Sequence, residues 1–230
     1  TNAVTDIIAG KVNPSGSLVD TYCYDNFSSP AMQNFIAQTY VGFDADNPQV
    51  PANASTYMVY QEGIYVGYKY YETRYEDVVM GKANVGSFDY AAQVAFPFGY
   101  GLSYTSFSYK DMAVNYNEET DQYDITVTVQ NDGDVAGKET VQIYAQSPYT
   151  QYDVDNQIEK SAVQLIGFGK TDVIAAGESE TITIIVDRRD LAAYDAKGHG
   201  TYIIEDGNYF FTAATDSHNA VNNILAAKGY

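Results

Sequence analysis

The sequence predicts a mainly β protein in which a two-sheet β-sandwich follows the end of an α/β layer and an aromatic-rich linker. Short runs that alternate between apolar and polar residues, separated by turn residues, fill the chain after residue 107. Before residue 95, helical spacing is mixed with short extended runs, as in an α/β segment. With 230 residues, each part is long enough to bury a core of its own.

The composition of the chain narrows the range of partners. Thirty Asp and Glu residues against 12 Lys and Arg residues give a net charge of −18. Because a negative field repels phosphate backbones and anionic lipids, we expect neither nucleic acids nor membrane surfaces as partners, whereas neutral sugars are compatible with it. No apolar run approaches the roughly 18 residues of a membrane span. No glycine-rich phosphate loop or dinucleotide fingerprint is present, so no cofactor is expected.

The first 24 residues predict a helix, a turn and a strand. Apolar residues at helical spacing lie within residues 4–8, and Gly10 suits the left-handed residue that ends a helix. Residues 13–16 have turn composition, and residues 17–24 have an extended pattern that contains Cys23, the single cysteine and a predicted inert buried thiol. One helix and one strand cannot bury both of their faces, so the strands that complete this layer are expected outside the chain.

The middle of the first half predicts a helix, a loop and a tyrosine-rich extended segment. Ser29 and Pro30 suit the N-cap and first position of a helix of two to three turns. Residues 40–54 are rich in Asn, Asp, Pro and Ala and predict an irregular loop. Residues 57–71 alternate imperfectly and are predicted to be strand-like. Glu62 in this segment is either a general acid or, as we expect, a structural carboxylate bonded to nearby hydroxyl groups or cations.

An aromatic linker, residues 96–107, separates the two parts of the chain. Its five aromatic residues are Phe96, Phe98, Tyr100, Tyr104 and Phe107. Pro97 restricts the residue before it to extended geometry, while Gly99 and Gly101 permit a positive φ or a close backbone approach. Because aromatic rings carry a large apolar surface, we expect a packed connection that turns sharply and not a flexible tether.

After the linker, five runs with a period of two residues predict strands, at residues 107–114, 123–130, 139–145, 181–186 and 209–213. Residues 131–134 predict a hairpin, and residues 176–179 and 205–208 predict further turns. About seven strands in roughly 110 residues are typical of an immunoglobulin or fibronectin type III β-sandwich. Residues 187–191 predict a short helical or turn crossing between strands, and residues 220–227 predict a helix.

Four motifs, in order along the chain, resemble those of family 3 glycoside hydrolases. The linker resembles the signature at which the α/β sandwich domain of that family passes into a fibronectin type III-like domain. The other three motifs lie at Gly10–Gly16, Tyr60–Glu72 and Val129–Glu139. One departure is that the family turn usually reads Gly-Lys/Arg-Leu-Pro, whereas this chain reads Gly-Ser-Leu-Val at residues 16–19.

The resemblance implies the C-terminal part of a retaining β-glycosidase, in particular a β-glucosidase that hydrolyses terminal β-D-glucosyl residues. It implies four segments, namely the end of the α/β sandwich domain with long loops (1–95), the linker (96–107), the fibronectin type III-like sandwich (108–218) and a helical tail (219–230). We expect the polypeptide to continue beyond this tail. A (β/α)₈ barrel, in the same polypeptide or in a separate chain, would complete the parent enzyme that binds the β-glucoside.

The resemblance assigns no catalytic residue to this chain, and we predict no metal-binding residue. In the family, the nucleophile lies in the barrel and the acid/base lies upstream of the turn at residues 13–16, so both are expected outside the chain. Glu62 and Tyr68 are the candidates for substrate contact. His199 and His218 lie in separate predicted turns, and spacing identifies no partners for them in a catalytic triad or a zinc site.

A second interpretation is a stand-alone, non-catalytic module that binds carbohydrate or mediates adhesion. The chain has 23 tyrosines and no tryptophan, and exposed tyrosines could form a sugar-binding face, although packing is the expected role for most of them. A third interpretation, an acidic subunit that docks on a separate barrel chain, differs from the first only in covalent linkage.

Overall fold

The structure is a computed structural model that describes residues 2–42, 46–47, 55–60, 63–83 and 85–230. The helices of the described part are α1 Asn2–Ile8, α2 Pro30–Gln33, α3 Tyr68–Val79, α4 Tyr90–Gln93, α5 Gln151–Asn156 and α6 Ser217–Ala227. Its strands are β1 Tyr22–Cys23, β2 Gln38–Thr39, β3 Thr56–Tyr57, β4 Val94–Phe96, β5 Phe107–Asn117, β6 Gln122–Asn131, β7 Thr140–Gln146, β8 Gln164–Lys170, β9 Ser179–Asp187, β10 Ala193–Asp195, β11 Thr201–Ile203 and β12 Phe210–Ala214. Asn26–Ser28 forms a 3-10 turn, as does the predicted crossing at Arg188–Leu191. None of the described helices combines the length and apolar character needed to cross a membrane.

Two three-stranded antiparallel sheets form the predicted sandwich. One sheet has the order β5-β6-β9 and the other has the order β12-β7-β8. The period of two places Ile125, Val127 and Val129 of β6 on the inner face, where they are fully buried. These residues share one apolar core with Val141 and Ile143 of β7. The predicted mainly β fold class is confirmed.

The outer face of the β12-β7-β8 sheet is buried as well. Six of the seven residues of β7 are buried, where a half-exposed strand would bury every second one. Helices α3 and α6 lie over this face, and Val221 and Leu225 of α6 share a second apolar core with Tyr144 of β7. The helix predicted at residues 220–227 is therefore present, and it packs against the sandwich instead of leaving it.

The hairpin predicted at residues 131–134 is wrong, because β6 and β7 belong to opposite sheets. Asn131 is fully buried and holds the crossing between them. Its Nδ2 donates to the carbonyl oxygens of Val135 at 2.9 Å and Ile174 at 3.0 Å, and its Oδ1 accepts from Thr105 Oγ1 at 2.6 Å. The residues of this segment do bend the chain, but the strands on either side pair elsewhere.

The strand-like interpretation of residues 57–71 is wrong: of the described residues in this range only Tyr57 lies in a strand, and the last four begin α3. Strand β3 ends at Tyr57, and α3 runs for 12 residues from Tyr68. The buried residues of α3 are Tyr71, Glu72 and Glu76, which lie on one face of the helix. Tyrosine favours strands when propensity decides, but here the packing of one helical face against the sandwich outweighs that preference.

The N-terminal elements are short. Helix α1 forms as predicted, and Gly10 follows it with a φ of +69°. Ser29 and Pro30 do begin α2, but the helix has only four residues and is shorter than predicted. Cys23 is half-buried, in contrast to the buried thiol expected, and its Sγ lies 3.4 Å from Asn26 Oδ1. In the described part, β1 pairs only with β4.

Candidate functional site at the linker junction

The linker, residues 96–107, is hydrogen-bonded on two sides. We call the linker, α3, the start of α6 and the outer face of β7 the junction. Leu18 N–H donates to Tyr100 C=O, and Gly99 N–H donates to Leu18 C=O, both at 2.8 Å. Ser217 N–H, at the start of α6, donates to Phe98 C=O at 2.9 Å. The backbone of the linker is thus bonded to both halves of the chain.

The outer face of β7 supplies buried polar groups that bind the junction. Gln142 is 3% exposed, and its Nε2 donates to the carbonyl oxygens of Gly99 at 3.2 Å and Thr215 at 2.6 Å. The Tyr144 hydroxyl donates to Gln142 Oε1 at 2.7 Å and fixes the orientation of this amide. A Cβ added to Gly99 would lie 2.2 Å from Gln142 Oε1, so the close approach requires glycine.

Tyr68, one of the two candidates for substrate contact, begins α3 inside the junction. Its ring centroid lies 4.8 Å from that of Phe98 and 6.1 Å from that of Tyr144. Its hydroxyl accepts from Leu165 N–H at 3.0 Å, and burial raises the pKa of Tyr68. These contacts account for Tyr68 by packing, and its contact with substrate stays a prediction. The other candidate, Glu62, lies outside the described residues.

Glu72 connects α3 to α6 by a network of buried hydrogen bonds. The carboxylate is fully buried, and its Oε1 accepts from the Tyr90 hydroxyl at 2.7 Å and from Ser217 Oγ at 3.0 Å. Its Oε2 lies 2.9 Å from His218 Nδ1, a residue 146 positions later in the chain. The Tyr90 ring stacks on His218 at 4.0 Å, and burial, followed by the Glu72 charge, raises the pKa of Tyr90.

The structure thus places both histidines beside carboxylates that spacing did not identify. Ser217 and His218 both contact Glu72, but the serine hydroxyl donates to the carboxylate and not to the imidazole, so this is not the order of a nucleophilic triad. His199 Nδ1 lies 2.9 Å from Asp195 Oδ2 in the turn after β10. Among the described residues, no group of three or more His, Cys, Asp and Glu side chains could hold a metal ion.

A cleft of about 690 Å³ opens beside α3, and its charged groups are already paired within the chain. Lys228 Nζ lies 2.9 Å from Glu76 Oε1 at the end of α3. Lys160 Nζ donates to Pro148 C=O and lies 2.8 Å from Asp153 Oδ2. The arrangement holds elements together and leaves these cations little capacity for a ligand.

The buried glutamines of the junction, Gln142 and Gln146, could not be predicted from the sequence. In the run 140–146, Gln142 and Gln146 alternate with apolar residues and therefore indicate a solvent-facing side. Both are buried, and Gln146 Nε2 donates to Glu76 Oε1 at 2.9 Å. Their partners lie many residues away in the sequence, so no local signal could identify them.

Comparisons with known proteins identify a domain within the chain and relatives of most of its length. Residues 139–217 match the family model described as a fibronectin type III-like domain. Over 93% of its length, the chain is 35% identical to a β-glucosidase of Ruminococcus albus, of which it covers 19%. It is 30% identical to a thermostable β-glucosidase B of Acetivibrio thermocellus over 95% of the chain and 24% of that protein.

Solved structures agree with these sequence matches. A β-glucosidase of Paenibacillus barengoltzii superposes on 94% of the chain with a TM-score of 0.72 and 32% identity, and the chain covers 20% of that protein. A β-glucosidase of Kluyveromyces marxianus in complex with glucose gives a TM-score of 0.70 at 30% identity over 94% of the chain, which covers 21% of that protein. The chain therefore spans about a fifth to a quarter of the length of these relatives. It belongs to the family 3 glycoside hydrolases, as the part of such an enzyme that carries the fibronectin type III-like domain.

Proposed function

We propose that this chain is the non-catalytic supporting portion of a retaining β-glycosidase, a β-glucosidase that acts on terminal β-D-glucosyl residues. The observation that carries the proposal is the junction, in which buried carboxylates are used in hydrogen bonds between elements. The Glu72 carboxylate accepts hydrogen bonds from α4 and α6. The Glu76 carboxylate accepts a hydrogen bond from Gln146 and forms an ion pair with Lys228. Groups with these partners hold α3 and α6 on the sandwich, and the nucleophile and acid/base would come from domains outside the chain.

The exposed apolar side chains of the N-terminal part indicate that another part of the enzyme continues the α/β layer. Large apolar side chains that are more than half exposed here include Val4, Ile8, Val19, Tyr22, Tyr24, Phe27, Phe35 and Ile36. This number of exposed apolar side chains in one part of the chain is typical of a surface that another layer covers. We propose that the rest of the α/β layer and the barrel, in the same polypeptide or in a separate chain, cover it. The division at residues 95, 107 and 218 is part of the same proposal.

The test compares the chain alone with the same chain joined to the barrel and the rest of the α/β layer. We expect no hydrolysis of an aryl β-glucoside by the chain alone and clear hydrolysis by the joined enzyme. Circular dichroism verifies that both proteins are folded. Turnover by the chain alone that disappears in Glu62→Gln would contradict the proposal, because it would place the chemistry here.

The alternative function, a stand-alone carbohydrate-binding module, is favoured by one observation. Two exposed tyrosines, Tyr194 and Tyr202, form a pair on the β10–β11 hairpin. Sugar binding by the isolated chain, without any effect of the chain on hydrolysis by a barrel, would favour this alternative.

A further inference from the structure

The β10–β11 hairpin presents an aromatic surface that the core does not use. Tyr194 and Tyr202 are directly opposite each other across the two strands. Their ring centroids are 5.1 Å apart at an interplanar angle of 63°, and the residues are 52% and 70% exposed. A single exposed aromatic residue needs no explanation, but two in contact form a continuous apolar surface with polar edges.

The aromatic pair forms one side of a cleft of about 280 Å³ between the hairpin and the start of α3. Polar groups on the other sides come from Lys69, Glu159 and Gln164. The Lys69 ammonium makes no hydrogen bond or ion pair with any residue that the structure describes, and burial lowers the pKa of Lys69. Because the Lys69 ammonium has no partner among the described residues, it can donate to an acceptor on a ligand.

The hairpin is held in a fixed position by Asp195, the last residue of β10. The buried carboxylate accepts from Gly198 N–H and His199 N–H at 2.7 Å and from the Tyr152 hydroxyl at 2.7 Å. These bonds close the turn between β10 and β11 and connect it to α5. An aromatic surface that is ordered before binding loses little conformational entropy when a ligand binds.

We propose that this cleft binds a neutral glucan chain, with a sugar ring on the Tyr194–Tyr202 surface and its hydroxyl groups bonded to Lys69 and Glu159. The apolar C–H face of a pyranose matches the ring surface, and its hydroxyl groups both donate and accept. The net charge of −18 disfavours an anionic ligand. The choice of a glucan rests on the proposed function, which concerns a glucosidase. The cleft would hold the polymer while the barrel cleaves its ends.

The experiment titrates the 230-residue chain with cellotetraose by isothermal titration calorimetry. We expect saturable binding with one site, weakened about tenfold or more by Tyr202→Ala, because the loss of an aromatic anchor removes much of the binding energy. Tyr202→Phe retains the ring and is expected to bind within about threefold of the parent chain. Lys69→Met removes the donor and is expected to weaken binding several-fold.

Tyr116→Ala is the matched control. Tyr116 is also an exposed strand tyrosine, at 44%, and its ring lies 5.1 Å from that of Tyr123, but it lies outside the cleft. Binding must survive this change, and circular dichroism verifies the fold of each variant. Absence of cellotetraose binding, or equal affinity in the parent chain, Tyr202→Ala and Lys69→Met, would overturn the site.

The two proposals fail separately. If the joined enzyme hydrolyses the aryl glucoside but the chain does not bind cellotetraose, the site is wrong and the supporting function stands. If the chain binds cellotetraose at this cleft but has no role in hydrolysis by the barrel, the supporting function is wrong and the chain is a binding module.

Discussion

Gly99 shows how one residue sets the geometry of the junction. Its φ is +89°, and its carbonyl oxygen accepts from Gln142 Nε2, an amide that is 3% exposed. The same Gln142 Nε2 also donates a hydrogen bond to the carbonyl oxygen of Thr215, which lies just before α6. A side chain at position 99 would therefore displace a buried group that joins the linker to α6, in addition to straining the backbone.

We expect Gly99→Ala to lower the free energy of unfolding by about 1–3 kcal/mol more than Gly177→Ala does, because it leaves buried polar groups without partners. Gly177 is the matched control, since its φ is also positive at +76° but no atom lies within 4 Å of an added Cβ. Both variants carry the backbone strain, and only Gly99→Ala has the overlap. The measurement is urea unfolding of both variants. Equal losses of unfolding free energy in the two variants would contradict the prediction, because they would mean that the Gln142 side chain can move aside without a loss of stability.

At the scale of elements, the sequence predicts the strands of the sandwich but does not predict helix α3, which covers the outer face of the β12-β7-β8 sheet. Strand β6 alternates strictly because one of its faces lies in the core, so period two locates it. Strand β7 alternates in sequence as well, yet both of its faces are buried, and its outer glutamines bind the junction. Helix α3 has a strand-like composition and becomes helical through packing. When an element far away in the chain buries a residue, the local sequence shows no periodic pattern for it. For this reason α3 and the Glu72 network could not be predicted.

The β10–β11 hairpin depends on one ionised side chain and therefore on pH. The Tyr152 hydroxyl, followed by the backbone N–H groups of His199 and Gly198, holds the pKa of Asp195 below its usual value near 3.9. A carboxylate whose pKa is lower in the folded state stabilises the fold fully above the unfolded pKa. That contribution is lost as the pH falls through the folded pKa.

Asp195→Asn should therefore lower the unfolding temperature at pH 7 by on the order of a few degrees, because an amide places an NH₂ group among these donors. The difference from the parent chain should stay constant down to about pH 4 and shrink below it. Asp172→Asn serves as the control, since the Asp172 side chain is 95% exposed. Thermal unfolding followed by circular dichroism at pH 7, 5, 4 and 3 measures both. A difference that grows as the pH falls would contradict the assignment.

The whole molecule combines a well-packed sandwich with an N-terminal part that has little core of its own. Helix α1 buries no residue, and β1 has one half-buried and one exposed residue. By contrast, Ile125, Val127 and Val129 in β6 are completely buried. The two parts are joined through the linker, so the free energy of opening should differ along the chain and should depend on what covers the N-terminal surface.

Hydrogen exchange tests this difference at pH 7. In the chain alone, amides of α1, β1 and β4 should exchange on the order of a hundredfold faster than those of β6 and β7, because local opening exposes the former and only global unfolding exposes the latter. When the chain is joined to the barrel and the rest of the α/β layer, the N-terminal amides should slow markedly, while those of β6 change little. The β6 amides are the internal control, because their core is complete in the chain alone. Equally fast N-terminal exchange in both proteins would mean that the exposed apolar side chains, such as Val19 and Phe35, are not a contact surface for the rest of the enzyme.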